Sequence, residues 1–263
     1  MIQGADRTRR VLLCSFRSGV GKSTLTANLA ALAAALGQRV GLADTCFAAP
    51  ALHLFFGLSS LEGPASLRDY LLGRQPISQT VLDVTGRLGL AGDGKLFLLP
   101  ASTRVEDRLA ALNDPLDLVQ LAEGLQAIAR ELRLDVLLID GPTGVSESSL
   151  SLLALADTAL LVLRPDAMDF QGTAVLVDVA HRLEVPRVQL VINDVPAAYD
   201  VADLKMRTAE ALGCPVAAGM PHDEALLECG SAGLIALQPF VRASRPWMDL
   251  VQSGLHLKEE TSG

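Results

Sequence analysis

The sequence predicts a doubly wound α/β fold, a mostly parallel sheet with helices on both faces. Two observations carry that prediction: short runs apolar on both faces recur along the chain, and longer segments of helical period separate them. Such strands need cover on either side, and alternation with helices gives right-handed crossovers. Composition agrees with this reading. Half of the 263 residues are hydrophobic, which excludes wholesale disorder and supplies a sizeable core. Aromatic residues make up only 4%, so the core rests mainly on Leu, Val and Ala.

Val11-Leu12-Leu13-Cys14-Ser15 is the first strand and ends in a glycine-containing loop. A helix from about Lys22 to Leu36 follows, closed by Gly37, a residue that helix C-termini favour. Arg39 to Asp44 reads as a second strand ending on a carboxylate, and Leu96 to Pro100 as a third. The stretch Leu61 to Lys95 is the least regular and predicts a helical insertion with loops. A helical segment from Leu116 to Leu132 leads into the fourth strand, Leu134 to Asp140. Thr158 to Leu163, Val188 to Asn193 and Pro215 to Met220 complete the strands, with helical segments between them. No linker rich in Pro, Gly or Ser divides the chain, so one domain is expected over 1–263. Roughly nine residues at the start and six at the end are expected to be flexible.

Several function classes are disfavoured. The formal charge of −8 argues against a globally basic surface, and Arg242 with Arg245 are too few for a DNA-binding patch. Met1 to Arg10 lacks the apolar stretch of a signal peptide. Leu25 to Leu36 is shorter than the roughly 20 apolar residues a bilayer span needs. Trp247 to Glu260 has apolar residues at helical spacing but little positive charge, which reads as core packing and not as a membrane-targeting helix. Cys14, Cys46, Cys214 and Cys229 are far apart without a C-x-x-C pair, as expected of reduced thiols in a cytoplasmic protein.

The loop Arg17-Ser18-Gly19-Val20-Gly21-Lys22-Ser23-Thr24 lies directly between a buried strand and a helix. Glycines let consecutive N–H groups turn inward, and the helix N-terminus adds partial positive charge. Lys22 supplies a point charge for β- and γ-phosphates, and the Ser23 hydroxyl is suited to Mg²⁺. Phe16 stands where the general pattern G-x-x-x-x-G-K-[ST] has its first glycine. The loop predicts a P-loop site for nucleotide phosphates with Mg²⁺. Asp140 ends an apolar strand, as the metal-binding carboxylate of such sites does. Asp44 has two readings, an outer partner of Mg²⁺ or an N-cap for the next helix. Gly144 is a candidate mobile N–H donor near the γ-phosphate, although Gly141-Pro142 is also ordinary turn chemistry. His53 and His222 read as surface or packing residues.

The run Ser15 to Ala30, SFRSGVGKSTLTANLA, resembles the variant K-G-G-x-G-K-[ST] loop of MinD/ParA-type ATPases. Further segments follow in that family's order. Gly41 to Cys46, with Ala49 to His53 and Phe56-Gly57-Leu58, resembles its D-x-D switch and sequel. Asp140-Gly141-Pro142-Thr143-Gly144 resembles its second switch, and Asn193-Asp194-Val195-Pro196 its base-contacting Asn. Met220-Pro221-His222-Asp223 resembles the loop that closes over the adenine ring. The resemblance implies adenine-side roles for Asn193, Pro221 and Asp223, although Asp223 also suits an N-cap for Glu224 to Leu227. It implies a homodimer joined through ATP, with Arg17 at the position whose lysine reaches the partner's phosphates, and a further protein partner or cargo. Lys22, Arg17 and Asp44 are then the catalytic candidates, and Ser23, Asp44 and Asp140 the metal candidates. Arg17, Ser18 and Cys46 depart from the family pattern. Cys46 replaces a carboxylate that helps position water, so slow hydrolysis is expected. Asp166 to Asp169 either faces a partner subunit or is an ordinary strand-to-helix loop. A nucleotide-responsive scaffold that hydrolyses little ATP is the main alternative, and a metabolic enzyme on the same fold a lesser one.

Overall fold

The computed structural model describes residues 8–58, 65–90, 92–112, 117–224, 234, 238 and 244–255. One eight-stranded sheet runs in the order β3-β4-β2-β5-β1-β6-β7-β8. Its strands are β1 (Arg9–Ser15), β2 (Arg39–Asp44), β3 (Leu82–Asp83), β4 (Lys95–Leu99), β5 (Val136–Thr143), β6 (Thr158–Leu163), β7 (Val188–Val195) and β8 (Val216–Pro221). All pairings are parallel except β3 with β4 at one edge. The sequence reading therefore holds for seven strands and missed β3. That strand has two residues, too few for a period to show.

Around the sheet lie α1 (Lys22–Ala35), α2 (Leu52–Phe55), α3 (Leu67–Leu71), α4 (Val105–Ala110), α5 (Leu118–Glu131), α6 (Glu147–Leu155), α7 (Ala167–Arg182), α8 (Val201–Leu212) and α9 (Arg245–Asp249). Alternation along β1 divides the core: Val11 and Leu13 face one side, Leu12 and Cys14 the other. The first side is covered by α1, α2, α9 and the π-turn Leu250–Leu255, the second by α5, α6 and α7. Ala27, Ala30, Ala31, Ala33 and Ala34 are all buried, so α1 lies close against the sheet. Trp247, Leu250, Val251 and Leu255 are buried too, which bears out core packing for the described part of the C-terminal segment. Among the described residues no helix is long and apolar enough to cross a membrane.

The chain moves outward from β1 on one side, then crosses from β5 to β6 on the other. Loops beyond the strand ends diverge beside β1, and ligands of open α/β sheets bind in such a crevice.

The irregular stretch before β4 holds α3, two 3₁₀ turns and β3. Ser66 and Asp69 form a capping box at the start of α3. Asp69 and Asp107 are buried and share two arginines: Arg74 lies 3.2 Å from Asp69 and 2.8 Å from Asp107, and Arg104 pairs with both. Ser102 Oγ donates to Asp107 at 2.6 Å. This network ties α4 to α3, and nothing in the sequence pattern signalled it. Burial alone would push the Asp107 carboxyl up, but the Ser102 hydroxyl and both guanidiniums hold it down at about 2. A carboxyl held below its unfolded value stabilises the fold above that value, and loses the contribution as pH falls through the folded one. Asp107→Asn should therefore remove about 1 kcal/mol of stability at neutral pH, discounted because the arginines are half exposed. It should also flatten the acid limb below pH ~4. Parallel acid-denaturation curves for variant and parent would refute this.

Candidate functional site

β1 stops at Ser15 and α1 starts at Lys22, leaving six residues to turn the chain. Gly19 and Gly21 take φ of 78° and 88°, the left-handed region that glycine enters without strain. Gly21 also abuts the Asn193 amide so closely that a Cβ has no room. α1 has Gly21 as its N-cap, which brings no side chain to cap the helix start, and no acidic residue sits in its first turn. Its N–H groups are therefore unclaimed by side-chain caps and suited to an anion. A cavity of about 850 Å³ opens above them, lined by 17–24, 45–49, Ala111, Leu112, Pro142, Thr143 and 146–148.

Under the loop, the Asp140 carboxylate gathers Lys22, Ser23 and Thr26, with Cys46 Sγ 3.9 Å from Oδ2. Lys22 Nζ lies 2.5 Å from Oδ1, Ser23 Oγ donates to Oδ2 at 2.6 Å, and Thr26 Oγ1 lies 3.3 Å from Oδ1. Asp140 and Lys22 are both buried. Burial works against the lysine charge, but the Asp140 carboxylate more than offsets it and holds Lys22 protonated above the usual range. A buried pair of this kind is a poor source of stability, yet removing one member strands the other.

Asp44 is fully buried and does not line the cavity. Its Oδ1 accepts from Cys46 N–H at 3.1 Å, and its Oδ2 from Ala51 and Leu52 N–H at 3.2 Å. Those bonds tie Asp44 to the segment that leads into α2, whose N-cap is Ala51 and not Asp44. Burial first, then repulsion from Asp140, pushes its carboxyl up to about 7. Asp44, Cys46 and Asp140 nevertheless bring their ligand atoms within 4.8 Å of one another. Cys46 does line the cavity, with Sγ 3.4 Å from Lys22 Nζ and 2.9 Å from the Gly141 carbonyl. Burial and then the charge of Asp140 push its thiol up to about 12. It is a neutral thiol there.

Arg17 folds back onto its own chain, with Nη1 3.3 Å from Asp166 and 3.4 Å from Asp169. Asp166 also accepts the Met168 and Asp169 N–H groups as the N-cap of α7. The 166–169 segment is thus the N-cap and first turn of α7, beside the phosphate loop. Asn193 Nδ2 donates to Val20 O at 2.8 Å, so the described amide is engaged with the loop. Asn193, Pro221 and Asp223 lie outside the cavity lining. Pro221 is the last residue of β8, and the N-cap reading of Asp223 extends to 225–227, outside the described residues. Gly144, at φ 79°, gives its N–H to Ser15 O at 2.9 Å. Gly141 and Pro142, read as a turn, continue β5 instead, because β5 pairs with β1 as far as Thr143.

Sequence reasoning missed Thr26, Thr45, Glu147 and Arg164. Thr26 lies one helical turn after Lys22, a spacing that places both on one face. Thr45 bonds Asp140 O through both N–H and Oγ1, and Glu147 lines the cavity from the start of α6. Arg164 follows the apolar strand β6 directly and donates to Gly19 O.

Residues 11–236 match the family model for the CobQ/CobB/MinD/ParA nucleotide binding domain. An uncharacterized ATP-binding protein of Methanocaldococcus jannaschii is 26% identical, over 95% of this chain and 89% of its own. An iron-sulfur cluster carrier protein of Clostridium perfringens is 28% identical, over 92% and 84% respectively. Among solved structures, the septum site-determining protein MinD of Pyrococcus horikoshii, complexed with Mg-ADP, superposes with a TM-score of 0.74. It is 20% identical, over 94% of this chain and 96% of its own, a likeness of fold.

Proposed function

This chain belongs to the CobQ/CobB/MinD/ParA family of nucleotide-binding domains, and from that premise we propose that it is an ATP-dependent dimerising switch with slow hydrolysis. The observation that carries the reading is the phosphate loop itself, with Lys22 and Ser23 converging on Asp140 beneath an uncapped helix start. The donor set fits a hard cation: Ser23 and Asp140 offer oxygen atoms, as Mg²⁺ prefers. They are the residues that would hold it, with Asp44 in support, and the bound ion would neutralise phosphate charge. Lys22 pairs with the nucleotide phosphates, while loop N–H groups and the α1 N-terminus orient them. Asn193, Pro221 and Asp223 border the nucleobase in this reading.

Dimerisation would bring two cavities face to face, and Arg17 is the residue proposed to reach the second subunit. To do so it leaves Asp166, in a half-exposed pair that is weak in water, and the buried Asp169, which keeps the Arg164 N–H. Arg17→Ala should therefore keep ATP binding and lose ATP-dependent dimerisation, read as mass in solution with Mg–ATP and with ADP. A dimer that still forms on ATP would remove Arg17 from the mechanism. The cargo such a switch positions or regulates has no chemical signature in the site.

One observation favours a second reading, a nucleotide-responsive scaffold. Cys46 presents a neutral thiol where family members carry a carboxylate, and a neutral thiol is a weak acceptor for an attacking water. Mg–ATP turnover measured beside solution mass separates the two. Dimerisation with slow turnover supports the switch, and binding without turnover supports the scaffold. Iron–sulfur carriage fits the described cysteines poorly: Cys14 and Cys214 are buried, so Cys46 is the one thiol among them with access to solvent.

A further inference from the structure

A peptide group is planar and trans, so its C=O and the following N–H point in opposite directions. Fixing a carbonyl outward therefore fixes the next N–H inward. The phosphate loop has two carbonyls fixed in this way. The Asn193 amide holds Val20 O at 2.8 Å, which directs the Gly21 N–H toward the cavity. The Arg164 guanidinium holds Gly19 O through Nη2, which directs the Val20 N–H toward it. Such anchoring matters most beside glycine, where the peptide can rotate at small cost, and Gly19 is already in the left-handed region. A rotated Gly19–Val20 peptide would present an oxygen to the phosphates instead of a donor.

Arg164 is itself held from two sides. Its backbone N–H donates to the buried Asp169 carboxylate at 3.0 Å, the residue that also faces Arg17. Its Nε lies 3.5 Å from Asp194 Oδ2. Asp194 stands at φ 60°, left-handed and tolerated by Asp, with its carboxylate between the Arg164 guanidinium and the His222 ring. Its other oxygen meets His222 Nδ1 at 2.6 Å. Residues at the ends of β6, β7 and β8 thus reach one carbonyl of the phosphate loop.

We propose that Arg164 is a positioning residue for nucleotide binding, braced by Asp194, that keeps the Val20 N–H turned toward the phosphates. The proposal rests on the nucleotide-binding reading given above. It assigns Arg164 no contact with the nucleotide. Its effect passes through the loop backbone.

The test is calorimetric titration of the full chain with Mg–ATP, for the parent, Arg164→Ala, Arg164→Lys, Asp194→Asn and the Arg164→Ala/Asp194→Asn double variant. Arg164→Ala should weaken binding about tenfold, the scale of one charged hydrogen bond on the binding-competent loop. Arg164→Lys should recover part of the loss, since an ammonium can take one partner but not both of a planar fork. Asp194→Asn should weaken binding about threefold, and the double variant should bind no worse than Arg164→Ala, because Asp194 acts through the arginine. Additive losses, or Arg164→Ala binding like the parent, would overturn the proposal while leaving the nucleotide site intact. A folded parent that does not bind Mg–ATP would overturn both readings together. If Arg164→Ala melts below the assay temperature, parent-like binding by both Arg164→Lys and Asp194→Asn overturns the brace.

Discussion

Lys22→Ala is expected to abolish Mg–ATP binding, with calorimetry showing no heat at concentrations that saturate the parent. Two effects combine. The variant loses the one buried ammonium in the phosphate loop, a point charge matched to phosphate oxygens. It also leaves the buried Asp140 carboxylate with no cationic partner among the described residues, only the Ser23 and Thr26 hydroxyls and the Cys46 thiol. Removing one partner of a buried pair costs about 3–5 kcal/mol, so the melting temperature should fall as well. Lys22→Ala/Asp140→Asn separates the two effects. The second substitution removes the stranded charge and should recover much of the stability, yet binding should stay lost. A Lys22→Ala protein that binds ATP like the parent would remove the site assignment altogether.

Cys46→Asp is expected to raise Mg–ATP turnover and to lower the stability of the nucleotide-free chain. The position lines the cavity and lies beside Asp140, so a carboxylate there faces the space where nucleotide would sit. A well-placed general base contributes ~10²–10⁴ in rate, and a gain of about tenfold would already show the thiol to be limiting. Without metal, however, the new carboxylate joins Asp44 and Asp140 in a buried cluster where like charges repel. Melting in EDTA should fall by about 1–3 kcal/mol equivalent and recover with Mg–ATP. Turnover equal to the parent would transfer the departure in rate to Arg17 and Ser18. Stability unchanged in EDTA would mean that the position sees more solvent than its burial implies.

Much of this architecture was legible in the chain itself. Seven strands were readable because a parallel strand covered on both sides is apolar along most of its length, as Val136 to Ile139 and Ala159 to Leu163 are. The phosphate loop was readable because its chemistry is local: two glycines, a lysine and a serine act through their own backbone and the helix they start. β3 escaped because two residues carry no period, and the extension of β5 through Pro142 escaped because Gly-Pro ordinarily marks a turn.

The sequence by itself determined the fold class, the phosphate loop and the carboxylate at the end of β5, since each depends on residues adjacent in the chain or on a repeating pattern. What the individual side chains do was set by contacts in the fold, most of them between elements distant in the chain. Asp44 binds the N–H groups of its own downstream segment, Arg17 rests on Asp166 and Asp169, and Asn193 holds a loop carbonyl. The clamp of Asp69 and Asp107 by Arg74 and Arg104 is likewise absent from any local pattern. The reason is reach. A charged or amide side chain chooses among all partners within a few ångströms, and strands distant in sequence, such as β1 and β6, supply those partners only after the sheet has formed.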